Sequence, residues 1–451
     1  MKMNLPEKLL RFADCTEQPL YLVGGAVRNH LAGLPASADF DLTGAFSAAS
    51  AAASAVSAGF TVTAVYPRTG TVRLQDGDAT LEFTSFREES YPAGGSHTPT
   101  DVCFTKNMEK DALRRDFTCN AVYYDVKNGD FCDPLGGISA IKERKLAAFA
   151  PDAVFRDDGL RLLRLARFAA ELGFTPTEET LAAAKKYAAN IDDISGERIL
   201  DELQKILLSD QKYPSSRPDA PDFALRILHE TTVLERIFPF VRAADGMPQR
   251  ADFHDHDVLE HTLRAVRYAP PRFAVRLAAL LHDAGKPTAM QKCGKMYGHE
   301  VYSEAIARQT LHRLRAGNAL TDRVARLCRT HMFDLKGEAK IATVRRFLRE
   351  NHDLFPDLPD LMQADFSACK DVLTTAPGVL RLRAAFQKMQ EENVPLTLKD
   401  LAVSGGDLTA LGFSGKETGE MLRYLFDLTL SDGKMNDKTR LLHIAAAKKP
   451  N

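Results

Sequence analysis

Apolar positions change their period along the chain. From Leu20 to about Val126 they fall in short β-like runs: Leu20-Tyr-Leu-Val23, Phe60-Thr-Val-Thr-Ala-Val65, Thr71-Val-Arg-Leu74, Ala79-Thr-Leu-Glu-Phe-Thr-Ser85 and Ala121-Val-Tyr-Tyr124. Helical segments such as Ala45 to Ala58 interrupt them, which predicts a mixed α/β region. From about Ala140 onward the spacing is helical, with turns at Gly405-Gly406 and Gly412. Between Lys212 and Asp222, three prolines among Ser, Arg and Asp read as a linker and a boundary. The predicted class is an α/β (α+β) N-terminal region followed by an all-α remainder.

A chain of 451 residues is more than one core is expected to hold, so two to four domains are predicted. With 59 Lys and Arg against 60 Asp and Glu, the net field is near zero. Any nucleic acid must then be held by locally grouped cations. The seven cysteines contain no Cys-x-x-Cys pair, which argues against a zinc ribbon or a disulfide framework and points to a reducing, cytoplasmic setting. No apolar run approaches a membrane span, and no export signal or membrane anchor is expected.

The first candidate for chemistry is Leu20-Tyr-Leu-Val-Gly-Gly-Ala-Val-Arg-Asn29. An apolar run, two glycines and a helical segment bearing Arg28 read as strand, tight turn and helix start. Such a turn holds phosphate, because glycine lets backbone approach an anion while free helix amides and Arg28 donate to it. Gly24 and Gly25 form its floor. Asp39 and Asp41, two residues apart on an extended segment, project from one face and attract a hard cation of the Mg2+ kind. Glu82 is either a third carboxylate for this pair or an exposed strand residue.

Tyr91 to Thr100, rich in Pro and Gly, is expected to be a flexible loop. Leu113-Arg-Arg-Asp-Phe-Thr-Cys-Asn-Ala121 follows, in which Arg115 is a candidate phosphate or base contact. In Phe155 to Phe168, Asp158, Arg161, Arg164 and Arg167 recur every three residues while Leu160, Leu163 and Ala166 are free to pack inward. On their pairing edges cytosine and adenine both show an amino donor beside a ring-nitrogen acceptor, and uracil and guanine reverse that order. A carboxylate such as Asp158 accepting from the amino group, with Arg161 donating to the ring nitrogen, selects C and A. The alternative is a solvated helix face laced with ion pairs.

A second constellation lies between Asp252 and Asp365: His261, His282-Asp283, His299, His331 and Asp365. Neutral imidazoles with carboxylates suit a divalent transition metal.

Gly-Gly-Ala-Val-Arg28, Asp39-Phe-Asp41, Arg114-Arg-Asp-Phe-Thr118 and Asp158 with Arg161 resemble, in order and spacing, the class II tRNA nucleotidyltransferases (CCA-adding enzymes) and bacterial poly(A) polymerases. The resemblance covers roughly the first two hundred residues. It implies a nucleotidyltransferase head of the polymerase β type at residues 1–138, a helical neck that reads the base and binds RNA at 139–215, and an RNA-binding tail at 371–451. It also implies Asp39 and Asp41 as metal-binding carboxylates, Gly25 and Arg28 as triphosphate contacts, and Arg115, Asp158, Arg161, Arg164 and Arg167 as nucleotide-binding positions. Three positions depart from the family: Asn29 where Asp is usual, Asp157 where Glu is usual, and Gly159 where Pro is usual. The last is expected to loosen the start of the base-reading helix. Glu197 to Leu203 resembles a family helix of the neck and reads as an ordinary amphipathic helix.

Asp257-Val-Leu-Glu-His261, Leu281-His-Asp-Ala-Gly-Lys286 and Gly298-His-Glu300 resemble the HD domain of metal-dependent phosphohydrolases, placed at 216–370. His261, His282, Asp283, His299 and Asp365 are its expected ligands for a second divalent metal, Mn, Ni or Mg, and Lys286 is either a phosphate contact or a solvated lysine. The expected function is template-independent addition of C and A from CTP and ATP to the tRNA 3′ end. The alternatives are A-only or poly(A) addition, and an HD phosphohydrolase with an RNA-binding head.

Overall fold

A computed structural model describes residues 2–37, 39–77, 79–91, 100–214 and 217–448. They fall into two compact units, Met1–Arg242 with His312–Ala316, and Ala243–Leu311 with Gly317–Asn451.

In the first unit, helix α1 (Glu7–Asp14) buries Leu9, Phe12 and Ala13. It is followed by β1 (Leu20–Val23), α2 (Gly25–Ala32), β2 (Phe40–Gly44), α3 (Ala48–Ser57), β3 (Thr61–Tyr66), β4 (Thr71–Asp76) and β5 (Ala79–Ser85). Then come β6 (Arg87–Ser90), β7 (Asp101–Phe104), α4 (Met108–Leu113), β8 (Tyr123–Asp125), β9 (Phe131–Cys132) and α5 (Gly137–Lys142). Seven strands form one sheet in the order β3-β4-β5-β2-β1-β8-β9. The β2–β5 pair is parallel and the other pairs in this sheet are antiparallel, so the sheet is mixed. Leu20, Leu22, Val23, Leu42, Val72, Leu74, Leu81 and Phe83 are all buried along its strands, which is what drives these short apolar runs together.

The β6–β7 hairpin was not legible as strands. Arg87-Glu-Glu-Ser90 is too polar to show the alternation of a half-buried strand. The loop expected at Tyr91 to Thr100 lies, over 92–99, outside the described residues.

Helices take over from α6 (Pro151–Asp157) and α7 (Leu160–Leu172), followed by α8 (Glu178–Lys186), α9 (Gly196–Leu207), α10 (Ala220–Glu230), α11 (Val233–Ile237) and α12 (Val241–Ala244). Helix α7 packs against α9 and α10. Gly159, at its N-cap, does not loosen the helix start. A Cβ there would stand 2.1 Å from the carbonyl oxygen of Asn190, so the backbone is held tightly and no side chain fits. Helix α7 ends at Gly173, whose φ of 66° suits a left-handed cap. Within the proline-bearing segment after α9, Tyr213 is buried.

The second unit continues with α13 (Val258–Tyr268), α14 (Phe273–Leu281), α15 (Lys286–Cys293), α16 (His299–Arg313), α17 (Asn318–Thr330), α18 (Ile341–Glu350), α19 (Asp357–Lys370) and α20 (Pro377–Glu391). Val275 to Leu281 of α14 is buried throughout, and α14 packs on α13, α17 and α19. Helices α21 (Gly405–Ala410), α22 (Gly415–Leu428) and α23 (Lys438–Ala447) close around Leu401, Val403, Leu408, Phe413, Leu425 and Leu441. Among the described residues no helix is long and apolar enough to cross a membrane.

Candidate active site and candidate metal centre

The turn between β1 and α2 passes through Gly24 at φ 75° and ψ −136°, a region that side chains other than hydrogen rarely enter. The β1–β2 register places Asp41 opposite Val23, the last residue before that turn. A Cβ built on Gly24 would lie 2.9 Å from Asp41 Oδ2. The glycine floor and the second aspartate therefore face one another. Asp39 stands one residue before β2, and the parallel β2–β5 register sets Glu82 beside Asp41. Glu82 accepts from Arg73 Nε at 3.4 Å.

The Asp41 carboxyl is raised above its ordinary pKa. Partial removal from water is the largest cause, and repulsion from Glu82 and Asp39 adds to it, against the attraction of Arg115 and then Arg164. A carboxylate held at such a disadvantage beside two others is a position that a cation relieves.

Arg28, buried on α2, is tied on both sides. Its Nη1 donates to Asn120 Oδ1 at 2.7 Å, and its Nη2 and Nε donate to Asn29 Oδ1 at 2.9 and 3.3 Å. The amide of Asn29 donates to the Pro35 carbonyl at 3.0 Å and to the Tyr213 hydroxyl at 2.7 Å. An ionised aspartate at position 29 could accept from the Tyr213 hydroxyl but has no proton for the Pro35 carbonyl, which gives the departure from the family pattern a local physical reason.

Asn120 passes the connection on. Its Nδ2 donates to Asp116 Oδ1 at 2.9 Å, and Asp116 Oδ2 accepts from Arg164 Nε and Nη2 at 2.8 and 2.5 Å. The chain Arg28–Asn120–Asp116–Arg164 thus joins the glycine turn to α7. The ring of Phe168 lies beneath three guanidinium groups, with the carbon of Arg167 at 4.2 Å, Arg164 at 5.1 Å and Arg28 at 5.2 Å from its centroid.

The arginine row on α7 is not a solvated face. Arg161 is buried and donates to the carbonyls of Arg114 at 2.8 Å and Val154 at 3.3 Å, while its Nε lies 4.0 Å from Asp158 Oδ2. Asp158 Oδ1 accepts from the Leu160 amide at 2.9 Å, just before the Gly159 N-cap. Arg167 donates to Glu202 Oε2 at 2.6 Å and lies 3.3 Å from Glu171. Arg115 donates through Nη2 to Asp111 Oδ2 at 3.0 Å and through Nε to the Tyr123 hydroxyl at 3.2 Å.

Sequence reasoning missed the supporting residues. Glu202 lies on the helix read as merely amphipathic, and Phe168, Asp111 and Tyr213 carried no local signal at all.

In the second unit, His261, His282, Asp283, His299, His331 and Asp365 converge in the core. His261 Nε2 is 3.0 Å from Asp365 Oδ1, 3.3 Å from Asp283 Oδ2 and 3.3 Å from His282 Nε2. His282 Nε2 is 3.2 Å from Asp283 Oδ2, and His299 Nε2 is 3.0 Å from Asp283 Oδ1 and 3.4 Å from His331 Nε2. Gly285 permits this approach: a Cβ there would lie 2.2 Å from the carbonyl oxygen of His299. His282, His299 and His331 each direct Nδ1 to the carbonyl three residues earlier, at 2.7, 2.9 and 2.8 Å, which turns their Nε2 atoms to the centre.

Burial works against the charge of His282, but the carboxylates of Asp283 and Asp365 outweigh it and lift the imidazolium to about 10. Asp283 is held well below the usual range by His282 and Lys286 in spite of its burial. Lys286 Nζ lies 2.6 Å from Asp283 Oδ2 and donates to Gln249 Oε1, so it is neither solvated nor free. Ligand atoms of His261, His282 and Asp365, and of His282, Asp283 and His331, lie within 4.8 Å of one another. Imidazole nitrogens and carboxylate oxygens at that spacing fit a divalent metal.

The family model described as "Poly A polymerase head domain" matches residues 20–147, "Probable RNA and SrmB- binding site of polymerase A" matches 173–245, and "HD domain" matches 258–365. The A-adding tRNA nucleotidyltransferase of Deinococcus radiodurans is 32% identical over 424 residues, covering 90% of each chain. A Multifunctional CCA protein of Xanthomonas campestris pv. campestris is 31% identical over 420 residues, covering 89% of this chain and 96% of the relative. The Bacillus stearothermophilus CCA-adding enzyme solved with CTP shares the fold at a TM-score of 0.66 and 22% identity, over 98% of both chains. The Thermotoga maritima CCA-adding enzyme solved with tRNA does so at 0.61 and 19%, over 98% of this chain and 94% of that one. With its head, RNA-binding and HD segments in this order, the chain belongs to the tRNA nucleotidyltransferase and poly(A) polymerase family and is a nucleotidyltransferase.

Proposed function

We propose that this chain adds C, C and A to the 3′ end of tRNA in the cytoplasm, using CTP and ATP and releasing pyrophosphate, with its own side chains in place of a template. The observation that carries the reading is the contact geometry of Gly24 with Asp41, joined through Arg28, Asn120 and Asp116 to Arg164 on the helix that would read the base.

In this reading Asp39 and Asp41 hold Mg2+. The Gly25 end of the turn and Arg28 take the triphosphate, and Arg115, Arg164 and Arg167 surround the nucleotide. Asp158 accepts from the amino group and Arg161 donates to the ring nitrogen that cytosine and adenine share. A divalent cation bound there supplies the charge that favours the ionised 3′-hydroxyl and the leaving pyrophosphate. The 3′ oxygen forms a bond to the α-phosphorus as the bond from that phosphorus to the β-phosphate bridging oxygen breaks, and the hydroxyl proton passes to solvent. Residues 173–245 support a hold on the RNA acceptor arm, in keeping with the name of the family model they match.

For the second unit, the buried histidines and carboxylates support a centre for Mn, Ni or Mg that hydrolyses a phosphomonoester or a 2′,3′-cyclic phosphate. One relative is named an A-adding enzyme, which makes A-only addition the competing outcome. A tRNA ending before CCA, given CTP alone, ATP alone and both, separates the two: incorporation of two C residues and then one A is expected, and no C incorporation overturns full CCA addition. Asp41→Ala is expected to abolish transfer and keep hydrolysis, and His282→Ala to do the reverse.

A further inference from the structure

Of the four histidines around the HD centre, His261 alone lacks the support the others share. His282, His299 and His331 each place Nδ1 on the carbonyl three residues back. For His261 that carbonyl belongs to Val258, and the Thr262 hydroxyl donates to it at 2.7 Å. Among the described residues, His261 Nδ1 is left fully buried with no hydrogen-bond partner, and so is Nδ1 of the neighbouring His254. The two rings meet edge to face at a centroid distance of 4.9 Å. Cys369 completes the group: it lies one turn beyond Asp365 on α19, is a free thiol, and makes a weak contact with the Asp365 carbonyl at 3.4 Å. Ligand atoms of His254, His261 and Cys369 all lie within 4.8 Å of one another.

We propose that His254, the Nδ1 of His261 and Cys369 form a separate site for a borderline-soft transition metal of the zinc(II) class, back to back with the HD centre across the His261 ring. Two imidazole nitrogens and one thiolate are the donors such a metal prefers, and they differ from the nitrogen and oxygen set on the other side of the ring. Tetrahedral zinc sets its ligand atoms roughly 3.3–3.8 Å apart, so the three side chains need close by only about 1 Å. While the HD centre is empty, Nε2 keeps its hydrogen, directed to Asp365, and the Nδ1 lone pair is the ligand; with both centres filled, His261 bridges them as an imidazolate and that proton leaves to solvent. On binding, the Cys369 sulfur exchanges its hydrogen for the metal and the proton leaves to solvent. His254 is part-exposed and provides the side from which the ion enters. Three protein ligands leave a fourth position open to water.

The test is titration of the full-length, chelator-stripped protein with cobalt(II). A near-ultraviolet thiolate-to-cobalt absorption is expected to saturate at one equivalent. It should vanish in Cys369→Ser, weaken at least tenfold in affinity in His254→Gln, and persist in His331→Gln, which alters the HD centre alone. Zinc content is expected to fall by one per chain in Cys369→Ser. Absence of the absorption in the unsubstituted protein, or its survival in Cys369→Ser, overturns the site. Its loss in His331→Gln would also overturn it, placing the sulfur in the HD centre, while hydrolysis measured on the same samples reports separately on that centre.

Discussion

Gly24 and Asp41 stand so close that a methyl group on the glycine would come within 2.9 Å of the aspartate Oδ2. Gly24→Ala must therefore displace the carboxylate as well as adopt a φ of 75°. Gly33 has a similar φ of 68°, but a Cβ there meets nothing within 4 Å among the described residues. Both alanine variants are expected to lose about 1 kcal/mol or more of stability from the left-handed backbone. Only Gly24→Ala should also lose nucleotide transfer, by on the order of 10²-fold. Paired melting curves and transfer assays check this.

Asp41→Asn is expected to trade function for stability. Because the carboxyl is raised in the folded protein by partial loss of hydration and by Glu82 and Asp39, its ionised form opposes folding above the raised value. In chelator at neutral pH the variant should melt higher than the parent, and the gain should disappear as pH falls below the unfolded value of about 4. With Mg2+ present, nucleotide transfer should be lost. A lower melting temperature in chelator would contradict this assignment.

Asn120→Ala removes an acceptor from Arg28 and a donor from Asp116 together. Losing such bonds to charged, buried partners costs about 1–3 kcal/mol. The expected kinetic signature is a fall in kcat/KM of about tenfold to a hundredfold, equal for CTP and ATP, because Asn120 positions both ends of the site without touching the base edge. A change confined to one nucleotide would refute this role.

Asp116 is expected to set part of the acid limit. It is buried, which opposes ionisation, yet Arg164 and Asn120 lower its carboxyl from 3.8 to about 2. That displacement corresponds to about 2 kcal/mol. A depressed carboxyl stabilises the fold above its unfolded value and loses that effect as pH falls through the folded one. The stability difference between the parent and Asp116→Asn should therefore shrink between pH ~4 and ~2, followed by denaturant unfolding at each pH.

Features whose partners are near in sequence were readable from the chain alone. Two glycines after an apolar run imply a turn, two aspartates one residue apart share a face of a strand, and residues three apart share a helix stripe, because backbone periodicity dictates each. The ordered motifs then marked the family. What the linear chain could not reveal depends on separation: Arg28 meets Asn120 92 residues on, Arg167 meets Glu202 35 residues on, and Asn29 meets Tyr213 184 residues on. Such pairings follow from how strands and helices stack, which local pattern does not encode. Gly159 makes the same point. From the sequence it read as a weak helix start, but packing brings the backbone of Asn190 so near that only glycine fits. The arginines of α7 likewise changed from a solvated stripe to a hydrogen-bonded row, with Arg161 buried and Arg164 and Arg167 partly so, once Asp116 and Glu202 had been folded against them.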